Sequence, residues 1–395
     1  MHSLHYLPTL DPDSGGVRSY VLDLLELLNR AGHETTLVSP DSFGHASRLG
    51  EAGRGNHRLV ELGATASPLG RFPRRAIDAI FDQLPSPPDL LHLHGMWSVP
   101  NLQLAAAARN RGIPYIVTIH GMLDEWCMSK SSWRKRVYLA LGGSRWLRDA
   151  ACIISTAAGE VEQTRHYFPT TPVEIIPAPM DLAEYQNLPG PDAAVRSFGA
   201  AGTGDLVDDR PCVLFLSRIH PKKGLEVLIE SVNVLRRRGR TVRLLIAGGP
   251  DGPYRREIVS LIGRLGLDDD VRLLGPVAGE LKRSLFQRAE VFALATHQEN
   301  FGIVFTESLA CRTPVVTTRG VDIWPELESS GGAVIADRTP EAFADAIERI
   351  VADPGTSPAM GEAGRRWVMD YLDVNRITSR FVEVYAKAVV GDRSR

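Results

Sequence analysis

The stretch Leu214–Ser231, LFLSRIHPKKGLEVLIES, decides how the chain is read. Its opening residues form a short apolar run ending at Ser217, as expected of a strand covered on both faces. From Leu225 onward, Leu225, Leu228, Ile229, Val232 and Leu235 keep the spacing of one helix face. A buried strand, a short polar loop and an amphipathic helix are the opening of a βαβ unit, and so of a parallel sheet. The loop holds Arg218, Lys222 and Lys223 at the start of that helix, where the helix dipole disfavours cations. A bound phosphate would reverse the balance, because the dipole, the free N–H groups and the cations would all act on it together. A solvated basic turn has the same composition, so this stretch leaves both readings open.

Working outward, the same rhythm fills the chain. Before the stretch, strands are expected at Leu4–Leu7, Leu90–His94, Tyr115–Ile119 and Cys152–Ser155, with helical periods at Val17–Asn29 and Leu102–Arg109. After it, strands are expected at Val242–Ala247, Val271–Leu274, Val291–Ala295, Pro314–Thr317 and Gly332–Ile335. The segment Asn187–Pro211 interrupts the pattern with Gly, Pro, Ala and Asp, and is read as a linker over 187–210. The expected organisation is an N-terminal domain over 1–186, a second domain over 211–371, and C-terminal helices over about 372–395 returning to the first. Both domains are α/β and doubly wound, so ligands are sought beyond the carboxyl ends of strands.

Composition narrows the function classes. The chain has 395 residues, with 45 basic and 47 acidic side chains and a formal charge of −2, which gives no global case for binding nucleic acid. Its four cysteines, Cys127, Cys152, Cys212 and Cys311, are dispersed and form no C-x-x-C pair, so they read as reduced thiols. No basic and apolar leader opens the sequence, and no apolar run approaches the roughly 18 residues of a membrane span, so a cytoplasmic protein is expected. Neither the glycine pair Gly15 and Gly16 nor AGGPDG at Ala247–Gly252 completes G-x-G-x-x-G, and Walker A is absent. Dehydrogenases and P-loop ATPases thereby lose their main sequence support.

Several loops after expected strands carry candidate chemistry. Gly15 and Gly16 would let a backbone approach a ligand closely, although a plain strand-to-helix turn needs glycine too. His92 and His94 alternate along one strand and His120 ends the next. Without a spaced carboxylate they are read as packing, and no metal site is expected; His120, followed by Gly121, is the better candidate for a ligand-facing group. Glu299 falls in the loop after Val291–Ala295, and Glu307 about a turn inside the following helix, where an acid near the dipole's positive end has a structural reason of its own.

With these residues together, the chain resembles the retaining, nucleotide-sugar-dependent glycosyltransferases of the GT-B fold, family 4. The resemblance is carried by E-x7-E as Glu299 and Glu307 within ENFGIVFTESLACRTPVV, by LSRIHPKKG, LLIAGGPDG and GLDDDVRLLGPV, and by HYLPTLDPDSGGVRSYVLDLL and IHGMLDEW nearer the N-terminus. It implies two Rossmann-like domains facing across a cleft. It also implies a nucleotide-diphosphate sugar as donor substrate, no further cofactor, and transfer of a hexose to a glycan or lipid-linked acceptor. Arg218 and Lys223 would hold the diphosphate, Glu307 the ribose hydroxyls, and Glu299 with Phe301 and Gly302 the transferred sugar. Gly15, Gly16, Gly249 and Ile303 would complete the donor contacts, and His120 would lie near the reacting sugar. The sequence departs from the family at PAPMD, Pro177–Asp181, where an Asn-Gly-Val-Asp run is common.

Other readings share some of these features. A sucrose- or trehalose-type synthase, a sugar-nucleotide epimerase and a scaffold that has lost turnover would all keep the fold. A glycosidase would use paired carboxylates but not a diphosphate cradle. Finally, Trp126–Arg148 carries Lys130, Arg134, Lys135, Arg136, Arg145 and Arg148 among Trp126, Trp133, Tyr138 and Trp146, with no acid. That pattern suits peripheral contact with an anionic membrane face, and it equally suits a solvated basic helix.

Overall fold

The structure is a computed structural model that describes residues 1–11, 15–41, 57–62, 67, 70–200, 210–249 and 252–393. The chain forms two compact units, Met1–Asp181 together with Leu372–Arg395, and Leu182–Tyr371. The first unit holds strands β1 (His2–Tyr6), β2 (Glu34–Ser39), β3 (His57–Glu61), β4 (Leu90–His94), β5 (Tyr115–Thr118), β6 (Cys152–Ser155) and β7 (Val173–Ile175). They form one seven-stranded sheet in the order β3-β2-β1-β4-β5-β6-β7, parallel throughout. The second unit holds β8 (Cys212–Leu216), β9 (Arg243–Ala247), β10 (Val271–Gly275), β11 (Val291–Leu294), β12 (Val315–Thr317) and β13 (Ala333–Ile335). Their order is β10-β9-β8-β11-β12-β13, again all parallel.

Both sheets therefore run outward from a first strand and return to its other side, which makes them doubly wound. Every residue of β1, β4, β5, β6, β9, β11 and β12 is buried, as strands covered by helices on both faces must be. Where the chain reverses direction across the sheet, the loops after the two central strands splay apart and leave a crevice. In the first unit this lies between β1 and β4, and in the second between β8 and β11.

Two organisational expectations change. The 187–210 stretch is not simply a linker: it contains the helix Asp192–Ala200, whose Ala194 N–H donates to Ser284 Oγ at 2.9 Å, and the division between units falls at Asp181 and Leu182. Pro189, Gly190 and Pro191 lead into that helix. Thr356–Tyr371 stays with the second unit, whereas Val374–Arg393 belongs to the first, where the Tyr385 hydroxyl lies 2.7 Å from His92 Nδ1. Strands β2, β3 and β7 were not expected; β2 buries the polar Thr35 and Thr36, and β7 spans only Val173–Ile175.

Candidate functional site

In the second unit the predicted residues gather at the carboxyl ends of β8 and β11. After β8 the chain forms the tight turn Pro221–Lys223, then Gly224, then the helix Leu225–Arg237. Gly224 has φ 64°, and a Cβ there would stand 1.9 Å from the Ala295 carbonyl oxygen, so only glycine fits between this turn and the loop after β11. The two loops are also bonded, with His297 N–H donating to Lys222 O at 2.8 Å and Thr296 Oγ1 donating to the same oxygen at 3.0 Å. This close approach turns the Lys223 side chain inward, where it is 10% exposed and its ammonium pairs with the Glu299 carboxylate.

Glu299 is held from the other side. Its N–H donates to Gly320 O at 2.8 Å, and its carbonyl accepts from Asp322 N–H at 2.9 Å, an isolated parallel bridge to the loop after β12. Phe301 is buried, and Gly302, with φ 64°, starts the helix Ile303–Ala310. Within that helix Glu307 Oε1 accepts from Lys282 Nζ at 2.5 Å and from the Tyr185 hydroxyl at 3.3 Å. Burial, and then the charge of Glu307 beside it, raise the Tyr185 phenol well above its ordinary range, so this hydroxyl keeps its proton and donates. Arg218 is exposed and makes no ion pair among the described residues, unlike Lys223.

The loop after β9 shows which glycine has a steric duty there. Gly249 carries the carbonyl that accepts from Ile219 N–H at 2.7 Å, but a Cβ on it would meet nothing within 4 Å. Gly248, with φ 152°, would place a Cβ 1.8 Å from Ser217 O. Asp268, Asp269 and Asp270 precede β10, and Asp270 is nearly buried, with its Oδ1 2.7 Å from Arg210 Nη1. That triplet stands at the amino end of a strand, away from the carboxyl-end loops.

In the first unit Gly15, at φ 79°, precedes the helix Gly16–Arg30, and both glycines have open space where a Cβ would lie. His120 lies two residues past the end of β5 in a left-handed backbone conformation, φ 59°, followed by Gly121 at φ 68°. Such a conformation costs a non-glycine residue about 1 kcal/mol or more and persists only where surroundings enforce it. Here the enforcing group is Glu160, fully buried, whose carboxylate accepts from Gly121 N–H and from Thr156 N–H, each at 2.6 Å. Sequence reasoning missed Glu160, Lys282 and Tyr185, since each acts on a predicted residue from a separate element.

The segment 126–148 holds most of the short helix Glu125–Ser129 and then two more, Ser132–Tyr138 and Ser144–Arg148, which are separated by a kinked turn at Leu139–Gly143. Its aromatic residues do not form one surface. Trp146 is buried in the core and the Tyr138 hydroxyl donates to Met96 O at 2.7 Å, whereas Trp133 is 65% exposed. All four cysteines are free thiols, and Cys152, Cys212 and Cys311 are buried.

Two doubly wound units, one of which sets a buried lysine and two carboxylates at its sheet's point of reversal, define an α/β protein whose charged groups gather beyond the strand ends. The Glycosyl transferase 4-like domain family matches residues 15–179 and the Glycosyl transferases group 1 family matches residues 203–367. The chain belongs to the group 1 glycosyltransferases and has their GT-B fold. It is 29% identical over 374 residues, 91% of each chain, to the GDP-mannose-dependent alpha-(1-6)-phosphatidylinositol monomannoside mannosyltransferase of Mycolicibacterium smegmatis. In structure it is similar to a sucrose-phosphate synthase from Thermosynechococcus elongatus, with a TM-score of 0.81 at 22% identity over 99% of this chain and 100% of that one. Anabaena Alr3699/HepE in complex with UDP-glucose gives a TM-score of 0.78 at 18% identity, over 98% and 99% of the two chains.

Proposed function

We propose that this glycosyltransferase moves a hexose, with retention of anomeric configuration, from a nucleotide-diphosphate sugar to a glycan or lipid-linked acceptor in polysaccharide or envelope glycan assembly. One observation carries the reading: Lys223 is held inward by Glu299 at the point of reversal of the sheet, and Glu307, in the helix that follows the Glu299 loop, is held by Lys282 and Tyr185. A carboxylate is a strong acceptor for vicinal ribose hydroxyls, and an ammonium beside a helix start suits a diphosphate. As the bond from sugar to phosphate breaks, negative charge grows on the departing diphosphate. Lys223 and Arg218 then stabilise the transition state more than the bound donor. In the same reading Glu299, Phe301, Gly302 and Ile303 position the sugar, Gly249, Gly15 and Gly16 let backbone approach the donor, and His120 meets the reacting sugar.

The relative from M. smegmatis is named for GDP-mannose and Alr3699/HepE was solved with UDP-glucose, which supports a nucleotide sugar and leaves the base to experiment. Calorimetry with UDP, GDP and ADP sugars tests the donor class, and NMR of the product's anomeric proton tests retention. Binding of none of the three overturns the reading. The cations already present serve the diphosphate, so activity survives EDTA; loss that Mn²⁺ or Mg²⁺ restores would overturn metal independence.

A lipid-linked acceptor implies a cytoplasmic enzyme working at a membrane face, and no described helix is long and apolar enough to cross one. Contact would come from the segment 126–148. Trp133 and Val137 stand four residues apart on one helix, 65% and 47% exposed, and Leu141 in the next turn is 78% exposed, with Arg134 and Arg136 beside them. Flotation with anionic liposomes is the test. No binding at low salt, or binding unchanged when Arg134, Lys135 and Arg136 are all replaced by glutamine, overturns it.

A further inference from the structure

Four histidines of the first unit meet along β1, β4 and β5. His5, His92 and His94 are completely buried and His120 is half-buried just past the end of β5. His120 Nε2 lies 3.3 Å from His94 Nδ1, His94 Nε2 lies 3.2 Å from His5 Nδ1, and His5 Nε2 lies 3.0 Å from Ser3 Oγ. These contacts make one continuous line from the strand end into the core. His92 stands beside it, with Nδ1 2.7 Å from the Tyr385 hydroxyl, Nε2 2.8 Å from Thr118 Oγ1, and its ring centroid 4.1 Å from that of His94.

One nitrogen from each of His5, His92 and His94 falls within 4.8 Å of the others, which invites a metal reading. The bonding favours a different one. Both nitrogens of each of these rings are already engaged, and the His5 and His94 rings lie 13° from parallel, stacked and not converging on a point.

A hydrogen bond between two neutral imidazoles needs an N–H on one and a lone pair on the other, and each neutral ring has one of each. The tautomer of any ring in the line therefore dictates the rest: all three carry the proton on Nδ1, or all three on Nε2. A charged ring would carry an N–H on both nitrogens and so break the donor-to-acceptor order of the line. Burial drives the same way, pushing His5 down to about 3 and His92 and His94 well below the ordinary histidine range.

We propose that His94, backed by His5 and Ser3, is a positioning residue that holds His120 in a single neutral tautomer, so that its Nδ1, the nitrogen outside the line, meets its partner in one fixed role. The role of His120 toward the sugar rests on the function proposed above; the line itself does not. The ring is braced for such a duty. Tyr20 packs edge-on against it at 4.6 Å between centroids, and Glu160 fixes the turn beneath it. Because the hydrogen bond behind an imidazole selects which nitrogen is protonated, a lone His120 would divide between two tautomers, only one of them correct.

The test is ¹⁵N NMR of imidazole nitrogens in the full-length protein, with His120→Gln assigning the His120 signals. The expected result is a single neutral tautomer shared by His94 and His120, unchanged from pH 8 to pH 5.5. The titratable groups facing the pair are His5 on β1, His92 on β4, Tyr20 on the helix Gly16–Arg30, Glu160 on the helix Ala158–Tyr167 and Tyr385 on the helix Val374–Arg393. In His94→Asn the side chain is too short to reach both neighbours, so His120 should average its tautomers. Its kcat should fall roughly tenfold to a hundredfold, the scale found for groups that orient a metal-binding histidine from behind, with donor KM nearly unchanged. Mixed tautomers in the wild type overturn the proposal, as do an unaltered His120 spectrum and kcat in His94→Asn, or stoichiometric zinc that His94→Asn loses. Should that variant not fold, the wild-type spectrum decides alone. Donor calorimetry is separate: failure to bind any nucleotide sugar would remove the proposed function and leave the spectrum to judge the line.

Discussion

Lys223 and Glu299 are 76 positions apart in the chain, yet their charged groups pair at the ends of the adjacent strands β8 and β11. The pair is largely shielded, with the two side chains 10% and 24% exposed. A side chain held this way is already aimed, so in the proposed reading little reorganisation would be needed when a diphosphate arrives.

Lys223→Ala should therefore lower turnover more than donor affinity, because the lysine's charge matters most as the leaving group becomes more negative. A loss of about 2–4 kcal/mol in barrier is expected, by analogy with removal of one oxyanion donor. Steady-state kinetics with calorimetric donor affinity separates the two effects, and an unchanged kcat would remove Lys223 from its role.

Glu307→Gln should weaken a free nucleoside diphosphate and the full donor alike, since both contain the ribose, whereas Glu299→Gln should spare the free nucleotide. Lys282→Ala should follow Glu307→Gln in direction, because Lys282 holds Glu307 Oε1 in place. Titration calorimetry with the free nucleotide is the measurement. Equal losses in the Glu299 and Glu307 variants would contradict this division of labour.

Two neighbouring glycines should behave differently. Gly248→Ala would set a methyl group 1.8 Å from Ser217 O at φ 152°, and should destabilise the second unit by more than about 3 kcal/mol. Gly249→Ala meets open space and should leave the thermal midpoint nearly unchanged while weakening donor binding. Similar midpoints for the two variants would refute the contrast.

Acid should weaken the first unit through its buried histidines. His5 is lowered to about 3, and His92 and His94 well below 6.5, chiefly by burial, so below pH 6.5 the unfolded chain binds protons that the folded chain does not. Their contribution is complete above pH 6.5 and is lost as pH falls toward the folded values, at up to about 1.4 kcal/mol per pH unit for one such group. Thermal unfolding followed from pH 7.5 to pH 5 should show the midpoint falling. The drop should shrink in His92→Gln, which removes one such group; equal drops in variant and wild type would exclude the linkage.

Local chemistry was legible in the sequence wherever one element contained it. The run Leu214–Ser231 reads as strand, basic loop and helix because a short apolar run and a 3.6-residue period lie within a single segment. The spacing of Glu299 and Glu307 places one acid in a loop and the other about a turn inside a helix, as the structure has them. What only the tertiary structure decided is which segments meet. The strand order β10-β9-β8-β11 sets the loop of Lys223 against that of Glu299, and no periodicity within either loop encodes that neighbour. The same holds for Lys282 and Tyr185 at Glu307, for Glu160 under His120, and for His5 joining His94 from another strand. The two C-terminal helices make the point most simply. Both carry apolar positions at helical spacing, but Thr356–Tyr371 packs with the second unit and Val374–Arg393 with the first, divided by the short joint at Leu372 and Asp373. An apolar stripe states that a helix must be buried; the surface that buries it is chosen by the packing of the whole chain.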